Sequence, residues 1–162
     1  MTRVPFKTTW IEQGRILAGS IPQLPEDLEV LKSMGIKSIL TLTRRDPRTY
    51  PDMWDLFKYS GLRYSQSAIP DVSISTDEVM LEAAKTISDD TLWHAPVYVH
   101  CRGGIGRTGM ILLAYYVLHR GMTLAQAKEI VKVRRNYQGN ASAIDQGSPQ
   151  KEWIDGLEAR LK

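Results

Sequence analysis

Apolar positions in the first part of the chain follow strand-like and helix-like spacings in turn. Apolar residues on both sides of a Gln-Gly turn predict a β-hairpin over residues 10–18. Pro25 is followed by leucines and a methionine at helical spacing, which indicates a helix that ends at Gly35. The β-branched, apolar segment 36–42 then predicts a buried strand. This region therefore supplies a hairpin and one helix-strand step.

The helix-strand step occurs twice more in the middle of the chain. Residues 53–60 predict a helix, and the alternating segment 62–69 predicts the strand after it. Residues 75–92 predict a longer helix with Thr76 as its N-cap, followed by a short buried strand over 96–100. Because strands and helices alternate, we expect one sheet that is covered by helices on both faces.

The last third of the chain predicts helices only. The segment 108–119 is apolar nearly all round, so we expect its helix at the centre of the molecule. Gly121 ends this helix, and Thr123 caps the next one, which runs to about Arg135. Apolar residues at helical spacing over 153–161 predict a final helix. The whole pattern predicts an α/β fold, with a mainly parallel or mixed sheet flanked by helices.

Length and composition fit one catalytic domain over residues 1–162. Hydrophobic residues make up 43% of the chain, which is enough for a core. The longest apolar run is far shorter than the roughly 20 residues that span a bilayer, so we expect no membrane contact. A net charge of +3 without a strong basic cluster argues against nucleic-acid binding. A single cysteine excludes an internal disulfide and favours the cytoplasm.

The strongest chemical signal lies in the loop after the predicted strand 96–100. Cys101 precedes Arg107 by six positions, and the helix 108–119 begins directly afterwards. Because the intervening glycines carry no side chains, the backbone N–H groups can turn inward and form a concave anion site. We therefore predict a phosphate-binding loop that consists of Arg102, Gly103, Gly104, Ile105, Gly106 and Arg107.

The residues around this loop suit phosphoryl transfer to a thiolate. The loop ends at a helix N-terminus, whose partial positive charge favours a bound phosphate and the thiolate form of Cys101. The planar guanidinium of Arg107 can hold two phosphate oxygens at once. Thr108 can donate its hydroxyl to the Cys101 sulfur, which makes the sulfur a better leaving group. The sequence therefore predicts nucleophilic catalysis by Cys101, with Arg107 and Thr108 in support.

The segment from His100 to Gly109 resembles the signature loop of the cysteine-based protein tyrosine phosphatases. Segments 15–22 and 35–42 resemble the opening strands of the small dual-specificity branch, so the resemblance covers roughly residues 10–135. It implies a phosphatase domain that needs no cofactor and no metal, because the loop N–H groups and Arg107 supply the positive charge.

The resemblance also implies an aspartate general acid on a loop about thirty residues before the cysteine. Asp71 lies there, in a proline-containing loop after the predicted strand 62–69. In the implied mechanism Cys101 attacks phosphorus while Asp71 protonates the leaving oxygen, and Asp71 then takes a proton from the hydrolytic water. A glutamine positions that water in the family; Gln150 matches best, and Gln146 is the alternative.

Each assignment has a structural alternative. Cys101 is also compatible with a buried small hydrophobe, and Asp71 with a residue that caps its own turn. His100 precedes Cys101 in a strand, so its ring is expected to point away and shape the loop rather than act as a base. Arg102 is either a solvated side chain or a group that binds a second phosphate. Gln150 is either the water-positioning residue or a surface helix residue.

The predicted function is a protein phosphatase that hydrolyses phosphotyrosine, and also phosphoserine or phosphothreonine, through a phosphocysteine intermediate. The alternatives are an idle phosphate-binding module and a phosphatase of non-protein substrates, such as phosphoinositides or RNA 5′-phosphates. Low-molecular-weight phosphatases and arsenate reductases share the cysteine-to-arginine spacing, but their loop precedes their acid, whereas Asp71 comes before Cys101 here. The expected partner is a phosphorylated protein, and the expected state is a monomer.

Overall fold

A computed structural model of the chain describes residues 5–71, 73–103, 106–135 and 148–161. The strands are β1 (Thr8–Glu12), β2 (Ile16–Gly19), β3 (Ser38–Thr41), β4 (Arg63–Gln66) and β5 (Val97–His100). The helices are α1 (Pro25–Ser33), α2 (Trp54–Tyr59), α3 (Asp77–Trp93), α4 (Gly106–Arg120), α5 (Leu124–Arg135) and α6 (Ser148–Asp155). Short 3₁₀ helices cover Pro47–Thr49 and Glu158–Leu161. The predicted order of strands and helices is confirmed, and the predicted last helix is divided into α6 and the second 3₁₀ helix.

The strands form one mixed sheet in the order β1-β2-β5-β3-β4. Only β1 is antiparallel to its neighbour in this sheet, whereas β2, β5, β3 and β4 run parallel. The predicted α/β fold with a mainly parallel or mixed sheet is therefore confirmed. Parallel strands place their carboxyl ends at one edge of the sheet, where ligands of such sheets bind. Because β5 is the middle strand, the loop after it begins at the centre of this edge.

The sheet separates two apolar cores. Adjacent residues of a strand point to opposite faces, so Val97 and Val99 pack beneath α3, α4 and α5, whereas Tyr98 faces α1 and α2. Leu40 and Ile39 of β3 divide between the two cores in the same way. The described helices include none with the length and apolar composition needed to cross a bilayer.

Helix α4 lies at the centre of the larger core, as its uniformly apolar sequence predicts. All of its residues from Arg107 to Val117 are buried, and it contacts α3, α5 and α6. The chain leaves α4 at Gly121, whose φ of 67° suits a residue without a side chain. Packing on all sides fixes α4, and the N-terminus of α4 is fixed with it at the end of the predicted phosphate loop.

The side chain of His100 connects β5 to β3 and to the start of that loop. Its ring is fully buried, with Nε2 2.7 Å from Thr41 Oγ1 and Nδ1 3.1 Å from the backbone oxygen of Cys101. Because a carbonyl oxygen only accepts, Nδ1 carries the proton and the Thr41 hydroxyl donates to Nε2. His100 therefore shapes the loop, as expected. Burial lowers the pKa of His100 to about 4, with a smaller lowering by the charge of Arg107 and against the opposing hydrogen bond to the Cys101 carbonyl.

We expect this buried histidine to make the free energy of unfolding depend on pH. The unfolded chain protonates His100 near pH 6.5, whereas the folded chain protonates it only near pH 4. As the pH falls through this window the unfolded state binds the proton first, so stability decreases by about 3 kcal/mol. His100→Asn should remove this pH dependence of the free energy of unfolding, measured by denaturant titrations between pH 7 and 4.5. The variant should also have a lower free energy of unfolding at pH 7, because it loses the buried hydrogen bonds of the ring.

The matched control is His94→Asn, which removes a partly exposed histidine at the end of α3. This control should retain the pH dependence of the parent protein. An unchanged slope in His100→Asn would show that another group causes the acid destabilisation.

Candidate active site

A cavity of about 310 Å³ opens at the carboxyl edge of the sheet. It brings together three residues that the sequence predicts for the site, namely Asp71, Arg102 and Arg107. Further lining residues include Ile21, Thr43, Arg44, Arg45 and Tyr50. Four arginines and one aspartate therefore surround the entrance, which gives the cavity a positive balance suited to an anionic ligand.

Cys101 follows β5 directly and lies at the centre of this edge. It is 2% exposed and is a free thiol. Its backbone oxygen accepts the hydrogen bond from His100, and the oxygen of Arg102 accepts one from the backbone N–H of Ile21 at 3.0 Å. The first part of the predicted phosphate loop is thus held on both sides.

The other predicted loop residues differ in exposure. Arg102 and Gly103 are exposed, and Gly106 is half-buried as the first residue of α4. Gly104 and Ile105 lie outside the described residues. Since the loop runs directly into α4, the unpaired N–H groups of the helix N-terminus lie where a phosphate is expected.

The guanidinium of Arg107 joins the phosphate loop to the loop that carries Asp71. Nη1 of Arg107 donates to the backbone oxygen of Ile69 at 2.9 Å, and Nη2 lies 3.4 Å from Oδ1 of Asp71. Arg107 is only 5% exposed, and its Nε has no hydrogen-bond partner among the described residues. A buried N–H without an acceptor carries a desolvation cost, which an oxygen of a bound phosphate would remove.

The side chain of Thr108 is fully buried at the start of α4. Its hydroxyl has no hydrogen-bond partner in the part of the chain that the structure describes, so the predicted bond to the Cys101 sulfur is not formed there. An unpartnered buried hydroxyl remains available as a donor when charge develops nearby.

Asp71 lies on the loop between β4 and α3. Its side chain is 71% exposed, and its described ion pair is the one with Arg107. The backbone upstream of Asp71 is anchored, because Ile69 N–H donates to Leu42 and Ile69 oxygen accepts from Arg107. An exposed carboxylate beside a buried arginine suits a group that exchanges protons with a bound phosphate ester.

Gln150 is placed on α6, far along the chain from Cys101, and is 2% exposed. The alternative of a surface helix residue is therefore wrong. Nε2 of Gln150 donates to the backbone oxygen of Ser73 at 3.0 Å, so this side chain contacts the loop of Asp71. The competing Gln146 lies outside the described residues.

Sequence reasoning missed the contribution of the loop between β3 and α2. Arg44 and Arg45 are exposed at the cavity, and the guanidinium of Arg45 lies 4.4 Å from the ring centroid of Tyr50. The place of Arg44 and Arg45 in the sequence could have indicated this contribution, because residues directly after a parallel strand lie at the ligand-binding edge of the sheet.

The base of this loop is fixed by a polar cluster. The carboxylate of Asp46 accepts from the guanidinium of Arg48 at 2.6 to 3.0 Å and from the Tyr64 hydroxyl at 3.0 Å. Burial raises the pKa of Asp46, but the hydrogen bonds from Arg48 and Tyr64 outweigh it and hold this pKa below its ordinary value. The loop therefore presents Arg44 and Arg45 from an ordered base.

Three curated relatives are similar to this chain in sequence. Human dual specificity protein phosphatase 6 is 30% identical over 112 residues, which cover 68% of this chain and 28% of that protein. Phosphatidylglycerophosphate phosphatase PTPMT1 of Arabidopsis thaliana is 29% identical over 118 residues, with 72% and 34% covered. Phosphoglucan phosphatase DSP4 of Castanea sativa is 25% identical over 157 residues, with 90% and 40% covered. The chain spans less than half the length of each of these three relatives.

Solved structures with the same fold include small phosphatases. Tk-PTP in its active form superposes with a TM-score of 0.74 at 24% identity, covering 94% of this chain and 97% of that one. PTPMT1 in complex with PI(5)P superposes with a TM-score of 0.76 at 15% identity, covering 95% and 96%. At these identities the likeness shows the fold alone.

A family model covers most of the chain, including both loops of the site. It is described as the DSP-PTPase phosphatase domain of Swiss Army Knife proteins (PTP-SAK), and it matches residues 5–149. This match includes the strand, loop and helix around Cys101 as well as the loop of Asp71. The chain therefore belongs to the dual-specificity-type branch of the cysteine-based phosphatases.

Proposed function

We propose that this protein hydrolyses phosphotyrosine in proteins through a phosphocysteine intermediate, with Cys101 as nucleophile and Asp71 as general acid. The observation that carries the proposal is the position of Arg107. Its buried guanidinium contacts Asp71 on one side and retains an N–H without a partner among the described residues. A phosphate bound at Arg107 therefore lies beside an exposed carboxylate, as acid catalysis of ester cleavage requires.

In the first step the Cys101 thiolate attacks phosphorus in line with the ester oxygen. The new sulfur-phosphorus bond forms while the bond from phosphorus to the leaving oxygen breaks, and Asp71 transfers its proton to that oxygen. Arg107 and the backbone N–H groups of residues 102–107 stabilise the charge on the remaining phosphate oxygens. Because these groups supply the positive charge, we expect turnover without a metal ion or cofactor.

In the second step water attacks the phosphocysteine. Asp71, now a carboxylate, takes a proton from this water as the oxygen-phosphorus bond forms and the sulfur-phosphorus bond breaks. The Thr108 hydroxyl is proposed to donate to the departing Cys101 sulfur, which restores the thiolate and releases inorganic phosphate.

The ion pair between Arg107 and Asp71 places the proposed acid beside the substrate. In the free protein, Nη2 of Arg107 faces the Asp71 carboxylate at 3.4 Å. A phosphate dianion competes for the same guanidinium. A substrate bound to Arg107 therefore lies next to the side chain that is proposed to protonate its leaving oxygen.

Phosphotyrosine is the substrate that the cavity lining favours. Ile21 and Tyr50 provide apolar and aromatic surface for a phenyl ring, while Arg44, Arg45 and Arg102 face negative charge around the phosphate. Peptides with acidic residues next to phosphotyrosine should therefore bind best. The proposal also includes a phosphorylated protein as the partner and a monomeric state. It places the protein in a reducing compartment such as the cytoplasm, because the catalytic thiol must stay reduced.

A second candidate substrate is a phosphoinositide or a similar lipid headgroup with more than one anionic group. The same arginines favour it, because Arg44, Arg45 and Arg102 surround the cavity beyond the single phosphate that Arg107 binds. Two relatives also carry names that point to lipids, one a phosphatidylglycerophosphate phosphatase and one solved with PI(5)P.

Replacement of the nucleophile should abolish turnover and leave binding intact. Cys101→Ser should release phosphate from p-nitrophenyl phosphate and from a phosphotyrosine peptide at least about 10³-fold more slowly than the parent, with EDTA present throughout. Peptide binding, measured by fluorescence anisotropy, should persist in the variant. Turnover by Cys101→Ser at the parental rate would exclude the mechanism, and a parent protein that binds without turnover would be the phosphate-binding module.

Removal of the acid should depend on the leaving group. Asp71→Asn should lower kcat/KM for phenyl phosphate by about 10²-fold or more, because the departing phenolate needs a proton. The loss should be much smaller for 2,4-dinitrophenyl phosphate, whose leaving group departs as an anion. Asp52→Asn, an exposed aspartate with a positive φ that asparagine also tolerates, is the control. Equal losses of kcat/KM on both esters would show that Asp71 is not the general acid.

The arginines of the β3–α2 loop should select among substrates. Arg44→Gln combined with Arg45→Gln should raise KM for an acidic phosphotyrosine peptide by about 3- to 10-fold, because exposed charges contribute modestly to binding. KM for p-nitrophenyl phosphate should change by less than about twofold. The same variant measured with a soluble phosphoinositide shows which substrate depends more on these residues. If KM for both multiply charged substrates is unchanged, the arginines do not contribute to specificity.

A further inference from the structure

The loop that carries Asp71 is held from two sides. Upstream of Asp71, the backbone of Ile69 is bound by Arg107 and by Leu42. Downstream, Ser73 and Asp77 are bound by the C-terminal segment of the chain, which comprises α6 and the 3₁₀ helix Glu158–Leu161. Asp71 lies between these two anchors and makes its own described contact only with Arg107.

The nearer of the downstream contacts comes from Gln150. Its amide is buried, and Nε2 donates to the backbone oxygen of Ser73 at 3.0 Å. Ser73 is two residues beyond Asp71 in the sequence, so this hydrogen bond restrains the loop close to the carboxylate. Breaking this bond is costly, because the buried amide of Gln150 would be left without a partner.

The second downstream contact fixes the start of α3. The indole N–H of Trp153 donates to Oδ1 of Asp77 at 2.9 Å, and the guanidinium of Arg160 binds both carboxylate oxygens at 2.9 and 3.0 Å. Asp77 is the first residue of α3, directly after Thr76, whose hydroxyl caps the helix by accepting from Val79 N–H. The bidentate ion pair between Arg160 and Asp77 therefore restrains the residue at which the loop of Asp71 joins α3.

The loop has few other supports among the described residues. Ile74 packs against the larger core, which also contains Trp153 and Leu157 of the C-terminal segment. Hydrogen bonds and packing thus connect the same two parts of the chain, which lie more than seventy positions apart in the sequence. The site of the general acid depends on where the C-terminal segment docks.

We propose that Gln150 is a positioning residue for the general acid, which it holds in place through Ser73, and that Trp153 and Arg160 hold the base of the same loop through Asp77. This inference rests on the proposed role of Asp71 as the acid. It differs from the family-based expectation for Gln150, because the role rests on the hydrogen bond from its Nε2 to the loop of Asp71 rather than on a contact with the hydrolytic water.

The two roles of Gln150 predict different kinetics. A residue that positions Asp71 affects protonation of the leaving group, so its loss slows the first step, mainly for esters with poor leaving groups. A residue that positions water affects the second step, so its loss lowers kcat for every ester and leaves kcat/KM unchanged, because kcat/KM covers only the steps up to formation of the phosphocysteine. Phosphocysteine then accumulates, and the first turnover releases a burst of phenol.

The test compares Gln150→Leu with the control Lys151→Leu on the same two esters. Leucine keeps much of the volume of glutamine but has no N–H for Ser73, and Lys151 is an exposed neighbour on α6 that pairs with Asp155. Gln150→Leu should lower kcat/KM about 10-fold on phenyl phosphate and less than about twofold on 2,4-dinitrophenyl phosphate, without a burst. Lys151→Leu should match the parent on both esters. An equal effect on kcat/KM for both esters, including no effect on either, or a burst in Gln150→Leu would overturn the proposal.

Trp153→Phe provides a second variant that keeps an aromatic ring in the core. It removes the N–H that binds Asp77 together with part of the indole ring, and a loss of about threefold confined to phenyl phosphate is expected. If Gln150→Leu does not fold, the test rests on Trp153→Phe. A parental kcat/KM of Trp153→Phe on phenyl phosphate would overturn the role of the contact between Trp153 and Asp77.

The acid variant separates failure of this inference from failure of the proposed function. Combined with Asp71→Asn, Gln150→Leu should cause no further loss on phenyl phosphate, because the loop no longer carries an acid to position. If Asp71→Asn itself shows no preference for leaving groups, the acid assignment fails. If Asp71→Asn shows the preference and Gln150→Leu does not, only the positioning role fails.

Discussion

The site depends on the contacts that the buried guanidinium of Arg107 makes with the loop of Asp71. This guanidinium extends from the first turn of the central helix and binds the backbone of Ile69 and the carboxylate of Asp71. The two loops of the site come from distant parts of the sequence, and this one side chain contacts the second loop from the end of the first. A lysine offers a point charge rather than a planar fork, so it would not make both contacts and still present an N–H to phosphate.

Three other parts of the fold stabilise this arrangement, namely α4, the ring of His100 and the C-terminal segment. Helix α4 is buried along most of its length, so the N-terminus that forms one wall of the proposed phosphate site has little freedom to move. The ring of His100, bonded to Thr41 and to the Cys101 carbonyl, fixes the point where β5 becomes the loop. The C-terminal segment contacts the loop that carries Asp71 through Ser73 and Asp77. In the proposed function, contacts that stabilise the fold thus also position the proposed catalytic groups, which is common where such a group lies on a loop.

The sequence predicts the strands and helices well because their patterns are local. Short apolar segments mark the buried strands β3 and β5, alternation marks β4, apolar spacing marks the helices, and Gly35, Gly121 and Thr76 mark helix ends. The phosphate loop is also a local pattern, since Cys101 and Arg107 are six positions apart. What the sequence does not predict is pairing at long range. The contact of Gln150 with Ser73 and the approach of Arg44 and Arg45 to the cavity depend on how separate segments dock, and no periodicity encodes that.

The central claim is that phosphate passes through the sulfur of Cys101. The most direct measurement is mass spectrometry of Asp71→Asn, quenched in acid during turnover of 2,4-dinitrophenyl phosphate. This ester does not need the acid for the first step, whereas the second step lacks its base, so the intermediate accumulates. The account predicts one phosphoryl group on the peptide that contains Cys101, and none after the same treatment of Cys101→Ser. An unmodified Cys101 during continued phosphate release, or a phosphoryl group on another residue, would contradict it.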